Sequence, residues 1–443
     1  MKHILHQVQH QKDKNVKVVI YSTNPTKYNP ETFFIGSKPS WLSQWNEVAK
    51  AHPELDIFLV AAKPGLFLLD ADTNPGKSGC TSKNLHIILL ENSIPEKAAN
   101  RIAELLPDIA VAASSWTLSY DWLPLNDSVT AQLLKKQGIN TICNSRKLSM
   151  SCFNKAMTHE LLEKHGFLMP EYIYVNHEMY KTDLQKADAN FNTYREYVLS
   201  LISDMTFPVV IKPVAGLSSL GIRIAETFAA AKAFLDSRKN GCDHLVEEYL
   251  SGVQMGLEIH GLPIKHGTKG NGTNNGYTVF PPMEFSLNNY GITNPRKSTK
   301  KGPVSAAEYP LDVLYKEMEK LAEVLEFSGT LQVDLVYTQD RWYILELNSR
   351  LSGMTYTYAA AFGTTVPEMI LKDAGLIQGE YKTMKNVISV KTPVQSFENV
   401  REIEAKAAEN LNVKATIYFY NSAAEQEREK GYFECIETEF SAR

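Results

Sequence analysis

Paired cysteine is the first thing this chain lacks. Its five cysteines, Cys80, Cys143, Cys152, Cys242 and Cys435, are odd in number, scattered, and never form a CxxC. That pattern argues against a disulfide framework or a structural zinc site and suits a reducing compartment. No apolar run approaches membrane-spanning length, and the opening MKHILHQVQHQKDKN turns polar too soon for a signal peptide. A cytoplasmic protein without membrane association is therefore expected. No block of Lys or Arg stands out and the net charge is only −4, which makes nucleic acid or an anionic membrane surface a poor partner. Internal repeats are missing too. The one low-complexity patch, GTKGNGTNNG (Gly267–Gly276), reads as a flexible hairpin loop.

What remains is a soluble globular composition, 44% hydrophobic and 22% charged over 443 residues, enough for about three domains of ordinary size. Strand and helix signals alternate from the start. Val16–Tyr21, Ile57–Ala61, Leu85–Leu90 and Ile109–Ala113 read as short buried strands, and Pro95–Leu106 has helical spacing before Pro107. Ser128 can cap a helix ending near Gly138, followed by a strand at Ile139–Cys143. This predicts an α/β unit over residues 1–145 with a parallel sheet. A single helix is expected over Ser151–His165, with Gly166 as its left-handed stop. Strands return at Val209–Lys212 and His244–Tyr249, a strongly periodic helix at Leu311–Leu325, and a further helix at Val366–Lys372. A last βαβ-like piece comprises Val387–Val394, Val400–Leu411 and Val413–Tyr420.

The most informative stretch is Leu331–Arg350, LQVDLVYTQDRWYILELNSR. With period 2, Leu331, Val333, Leu335 and Tyr337 share one face, and Gln332 and Asp334 the other. In Trp342–Asn348, Leu345 and Leu347 oppose Glu346 and Asn348. A three-residue turn at Gln339–Arg341 would close a hairpin that sets Asp334 opposite Glu346 and Gln332 opposite Asn348. Carboxylates so paired lie ~4.5–5.5 Å apart and repel. A divalent cation between them removes the repulsion, and carboxylate with amide oxygen suits Mg²⁺.

Two motifs fail on context. ADTNPGKS (Ala71–Ser78) fits a loose phosphate loop, but strand pattern, not a helix, follows it. HELLEKH (His159–His165) echoes a metalloprotease helix, yet its histidines do not share a face, so a polar helix face is expected. A better phosphate cradle is PVVIKPVAGLSSLGIR (Pro208–Arg223). There a strand ending in Lys212 enters a loop with Gly216, Ser218, Ser219 and Gly221. Glycine admits close backbone N–H approach, and serine and lysine add donors and charge.

In this order the motifs resemble the ATP-grasp superfamily, over Asn144 to Gly375. The resemblance implies a pre-ATP-grasp α/β domain (1–145) followed by two α+β subdomains that grip ATP with Mg²⁺. It divides the rest into a linking helical part (146–205), a nucleotide-binding subdomain with flap (206–252), a metal-bearing subdomain (253–380) and a small C-terminal extension (381–443). Lys155 and Lys212 resemble the family's two phosphate lysines, and Gly216–Gly221 its flap. VEEYLSG resembles the adenine hinge, through Glu247 and the backbone of Glu248, Tyr249 and Leu250. Gln254 stands where a ribose-binding acid is usual. Asp334, Glu346 and Asn348 match the metal ligands, and Arg350 matches a catalytic arginine that also meets substrate, beside Gly353. Glu284 falls among substrate loops, and Lys297, within the Arg296–Lys301 basic cluster, is assigned a further phosphate contact. Implied with them is a carboxylate–amine ligase acting through an acyl-phosphate on small-molecule substrates, similar to L-amino acid and peptide ligases. The alternatives are a biotin-carboxylase or carbamoyl-phosphate type of reaction, or an ATP-binding interaction protein without turnover. A homodimer is one assembly this family allows.

Overall fold

The computed structural model describes residues 15–23, 33–61, 68–69, 80–113, 115, 123–182, 191–216, 221–237, 240–263, 276–288, 291–423 and 430–439. The first unit is a five-stranded parallel sheet. Across it run Leu85–Leu89, Leu55–Ala61, Val16–Ser22, Ile109–Ala112 and Thr141–Ile142. Its apolar runs are long because both faces are covered. Val18 and Ile20 pack with Trp41 and Trp45 on one side, while Val19 and Tyr21 pack with Ala98, Ile102 and Leu134 on the other. Strand order reverses between Val16–Ser22 and Ile109–Ala112, the point at which such sheets leave a crevice at their carboxyl ends.

Two helix expectations are corrected. The helix expected to start at Ser128 spans Leu123–Lys136, because Pro124 suits a first turn; Ser128 lies inside it and donates its hydroxyl to Leu125 O at 2.7 Å. The single helix over Ser151–His165 is two, Arg146–Phe153 and Lys155–Lys164. Asn154 leaves helical backbone at φ −98°, ψ 110° and caps the second by accepting from Met157 N, the cap chemistry of Asn winning over continuation.

A small antiparallel sheet follows, ordered Tyr172–Val175, His244–Glu248, Val209–Pro213 and Arg223–Ala225. It packs through Val209, Ile211 and Val246 on the helices Thr193–Ser203 and Phe228–Asp236. The large sheet runs Arg341–Asn348, Gly329–Thr338, Val253–Gly261, Met283–Phe285, Thr299–Gly302, Val387–Val394, Gly431–Thr438, Val413–Asn421 and Phe33–Lys38. The C-terminal extension thus continues the sheet of the carboxylate hairpin and ends on a strand from the first unit. Gly431–Thr438 lies antiparallel between Val387–Val394 and Val413–Asn421, which splits the expected βαβ piece. The helix Leu311–Leu325 has the expected bounds and buries Leu314, Met318 and Leu321. Among the described residues no helix is long and apolar enough to cross a membrane.

Candidate active site

The carboxylate hairpin has the expected register at its functional end by a different route. Its turn is two residues, Gln339 and Asp340, both at positive φ (50° and 58°), the form that matches strand twist. Thr338 therefore faces Arg341, one residue off the three-residue scheme. A bulge between Asp334 and Leu335 then restores Asp334 opposite Glu346 and Gln332 opposite Asn348. The extra residue, Leu345, leaves the core face assigned to it; Trp342, Ile344 and Leu347 are buried instead, and Leu345 lines the cleft. Bulges re-aim side chains in this way.

That cleft, about 790 Å³ and partly open to solvent, lies between the small and large sheets. Lys212, Tyr249, Gln254, Asp334 and Glu346 are among its walls. Asp334 accepts from Gln332 Nε2 at 2.7 Å. Its carboxyl is pushed up to about 7, by burial first and then by Glu346, with Arg350 and Lys212 pulling it back. Across from it Glu346 pairs with Lys155 Nζ at 3.2 Å, and the same ammonium donates to Gly216 O at 3.2 Å. The Asn154 break starts the Lys155–Lys164 helix against the flap strand, through Lys155 N to Val214 O at 2.9 Å, so the lysine reaches both flap and carboxylates.

Lys212 pairs with Glu247 Oε2 at 2.5 Å, and His159 Nε2 lies 3.0 Å from Glu247 Oε1. Burial would raise this carboxyl, but Lys212 and His159 outweigh it and hold Glu247 below the usual carboxylate range. His159 is therefore buried against the hinge acid rather than on the polar face expected of it. Glu247 gives one oxygen to each of these partners and, with Glu248, Tyr249 and Leu250, lines the cleft. Gln254 lines it too and donates to Gly291 O at 2.9 Å. Gly221, at φ +80°, closes the flap where a Cβ would lie 2.8 Å from Pro213 Cγ. Ser218 and Ser219 lie outside the described residues, as do ADTNPGKS and nearly all of the 267–276 loop.

Arg350 is buried, 8% exposed, and lies two residues beyond the end of the hairpin's second strand at Asn348. Its guanidinium donates to Asn348 Oδ1 and Leu351 O, both at 3.3 Å. Asn144 fixes the backbone beside it, donating to Ser349 O at 3.1 Å and accepting from Ser328 N at 2.7 Å. Arg350 also lines a second hollow, partly open to solvent, that reaches Ala112 of the parallel sheet and Cys143 just past its last strand. Ser149 Oγ, on its wall, has no hydrogen-bond partner among the described residues.

Two assignments are not brought to the cleft. Glu284 is exposed while its neighbour Phe285 lines the wall. Lys297 is exposed as well. The lysine of that cluster that turns inward is Lys300, 2.8 Å from Glu434 Oε1 and 3.0 Å from Gly353 O. Sequence reasoning also missed a buried network behind the site. His260 lies 2.9 Å from Glu258 and 2.6 Å from Asp373, while Ser352 and Thr355 both donate to Glu258 Oε1 at 2.7 Å. The signal was present. In VQMGLEIHG, Gln254, Glu258 and His260 alternate with the core residues Met255, Leu257 and Ile259. Gly256, on the polar face opposite Asp334, leaves room for Phe285, whose Cζ would meet a Cβ at 2.4 Å.

Burial would lower the His260 pKa, but Asp373 and Glu258 raise it to about 9. Because the folded value exceeds the ordinary 6.5, its stabilisation is complete below about pH 6.5 and lost as pH rises through about 9. Melting temperature should fall over that window in the native protein and fall less steeply in His260→Gln, read by calorimetry across pH.

Metal fit rests on donor chemistry. Among the described residues no group of three or more His, Cys, Asp or Glu side chains is arranged to hold a metal ion. Two carboxylates and the Asn348 amide suit Mg²⁺, which is usually held by one or two carboxylates plus phosphate oxygens and water. Lys155→Ala and Lys212→Ala should each weaken a non-hydrolysable ATP analogue by roughly tenfold or more, the worth of a charge-assisted contact. Calorimetric titration checks this, and unchanged affinity in both would remove the phosphate assignment.

A family model described as D-ala D-ala ligase C-terminus matches residues 161–376. The D-alanine–D-alanine ligase of Buchnera aphidicola subsp. Schizaphis graminum is 28% identical over 208 residues, 43% of this chain and 60% of that protein. The carbamoyl phosphate synthase large chain of Agathobacter rectalis is 25% identical over 239 residues, 51% of this chain but 21% of that one. The chain thus spans about 60% of the D-alanine–D-alanine ligase. Among solved structures, an N5-carboxyaminoimidazole ribonucleotide synthetase in its ADP complex aligns with TM-score 0.61 at 17% identity, covering 96% of this chain and 93% of that one. The L-amino acid ligase from Bacillus licheniformis aligns with TM-score 0.57 at 14% identity, covering 97% and 95%. At these identities the structural likeness is one of fold. That matched segment, a little under half of the chain, holds the Gly216–Gly221 stretch, the VEEYLSG stretch and the carboxylate hairpin in order, and over it the chain is similar to the D-ala D-ala ligase C-terminus family, in line with its resemblance to the ATP-grasp superfamily.

Proposed function

We propose that the protein is an ATP-dependent carboxylate–amine ligase that joins amino-acid-like substrates through an acyl-phosphate. The observation that supports this is a cleft whose walls include Lys212, Asp334 and Glu346, with Lys155 paired to Glu346, and with Arg350, on the wall of a second hollow, bonded to Asn348. A substrate carboxylate oxygen attacks the γ-phosphorus, the bond to the bridging oxygen breaks, and ADP leaves. An amine nitrogen then attacks the acyl carbon, the C–O bond breaks, phosphate leaves, and the amine proton passes to solvent. Bound Mg²⁺ would neutralise charge on the transferring phosphoryl group. Lys155 and Lys212 hold the phosphates, and Arg350 offsets charge that develops on transfer. The flap excludes water from the hydrolysable intermediate. This reading takes small-molecule carboxylate and amine as partners and the cytoplasm as location.

The test is ADP and phosphate release across an amino-acid panel, with product masses. Turnover should be slow with ATP alone, rise with one carboxylate substrate, and couple to amide formation when the amine joins. Bicarbonate-dependent release would move the protein to the carboxylase type. AMP as product would exclude the acyl-phosphate route, and silence across the panel would favour a binding module.

A further inference from the structure

Between Arg350 and a carboxylate in the core runs an unbroken line of hydrogen bonds. Arg350 Nη1 donates to Leu351 O at 3.3 Å, and the other prong, Nη2, donates to Asn348 Oδ1 at 3.3 Å. Leu351 O belongs to the same peptide group as Ser352 N, which donates to Thr355 Oγ1 at 2.9 Å. Thr355 Oγ1 donates in turn to Glu258 Oε1 at 2.7 Å. A peptide group is planar, so the direction of its N–H fixes the direction of its C=O. A threonine hydroxyl has a single hydrogen. Given to Glu258, it leaves the lone pairs of Oγ1 to Ser352 N–H, and the peptide so fixed aims Leu351 O at the guanidinium.

The far end of this line is firmly anchored. Glu258 is fully buried. Its Oε1 also accepts from Ser352 Oγ at 2.7 Å, and its Oε2 lies 2.9 Å from His260 Nε2. The other ring nitrogen of His260 lies 2.6 Å from Asp373, to which Tyr381 donates at 3.3 Å. From another side Lys300, paired with Glu434 at 2.8 Å, donates to Gly353 O at 3.0 Å. The helix Gly353–Phe362 does not need Glu258 to start. Ser352 Oγ already caps it by accepting from Met354 N at 2.9 Å, and Thr355 completes a capping box. Burying a carboxylate is costly even when it is paired, so a fully buried acid aimed at two capping hydroxyls calls for a use beyond the cap.

We propose that Thr355 and Glu258 are positioning residues that set the Arg350 fork against Asn348. They act through the Leu351–Ser352 peptide and not on substrate. Their effect on rate rests on the ligase reading; their hold on Arg350 does not. Without the Thr355 hydroxyl the peptide is free to turn, Leu351 O leaves its prong, and the guanidinium pivots about its bond to Asn348. A misplacement of ~1 Å at a reacting centre can cost on the order of a hundredfold in rate.

Thr355→Val keeps the side-chain shape and removes the hydroxyl, and Thr355→Ser restores it. The Nε–H resonance of Arg350 in a proton–nitrogen correlation spectrum of the full chain, identified by its absence from Arg350→Gln, reads the fork without any turnover. It should shift in Thr355→Val and return towards native in Thr355→Ser. Glu258→Gln keeps the size but removes the charge that strengthens the bond, and should shift it too. With the best substrate pair from the amino-acid panel, kcat should fall roughly tenfold to a hundredfold in Thr355→Val, with KM for ATP near native, and recover in Thr355→Ser. In an Arg350→Gln background Thr355→Val should cost little more, because residues that act as one unit are not additive. A cap serving stability alone would lower the melting temperature, leave the resonance in place and add its cost to that of Arg350→Gln. An unmoved resonance in Thr355→Val (or in Glu258→Gln where Thr355→Val does not fold), failed rescue by serine, or additive losses would each overturn the proposal. If the native chain turns over no substrate pair, the ligase reading fails, and the resonance alone decides the positioning.

Discussion

Glu346→Gln should cut ATP turnover by on the order of a hundredfold or more, the size seen when one charge-stabilising group leaves a transition state. The amide keeps shape and hydrogen bonding but removes one of the two negative charges that face each other across the hairpin at Asp334 and Glu346. Those charges are what a divalent cation relieves, and without one of them its affinity falls. Stability should change far less, because two effects oppose. Lys155 loses an ion-pair partner at 3.2 Å, while buried Asp334 loses the neighbour that, after burial itself, pushes its carboxyl up. The measurement is phosphate release under the best substrate pair at saturating Mg²⁺, with the melting temperature as control. A near-normal rate in a folded variant would remove Glu346 from the metal set.

Much of that hairpin is legible in the chain because both flanks alternate with period 2 and their polar positions carry acids and amides. Its route is not legible. Gln339 and Asp340 adopt left-handed backbone without a glycine to signal it, and nothing in Ile344–Leu345–Glu346 marks a bulge. The two deviations cancel at Asp334, so the right pairing follows from a wrong turn. The Leu311–Leu325 helix is readable for the opposite reason, a stripe of apolar residues with no competing cap inside it. Asn154 could serve equally as a helix surface residue or as a cap, and only packing of Lys155 against the flap decides between them. The basic cluster shows the same limit. Strand alternation in Thr299–Gly302 puts Lys300 inward, 8% exposed, and Lys301 outward, but that strand exists only by pairing with Met283–Phe285 and Val387–Val394. Pairings between distant segments, of which Phe33–Lys38 on Val413–Asn421 is the longest in reach, leave no local trace.

Arg350 should separate binding from chemistry. In Arg350→Lys the charge stays but the rigid planar fork is lost; in Arg350→Gln both go. Neither change touches the groups proposed to hold the phosphates, Lys155 and Lys212, so an ATP analogue should bind both variants with affinity near native. Substrate-dependent ADP release should fall on the order of a hundredfold in the Gln variant and by less in the Lys variant, because a fixed cation beside a developing charge acts mainly in the transition state. The geometry supports this split. The guanidinium is held by Asn348 Oδ1 and Leu351 O, its backbone neighbour Ser349 is tied to Asn144, and its charge already reaches Asp334, whose carboxyl it pulls down. It is thus preorganised between the oxygen set and the hollow at the carboxyl ends of the parallel sheet. Lost analogue affinity would instead make Arg350 a nucleotide-binding residue. A raised KM with native kcat would make it a contact that serves ground state and transition state alike.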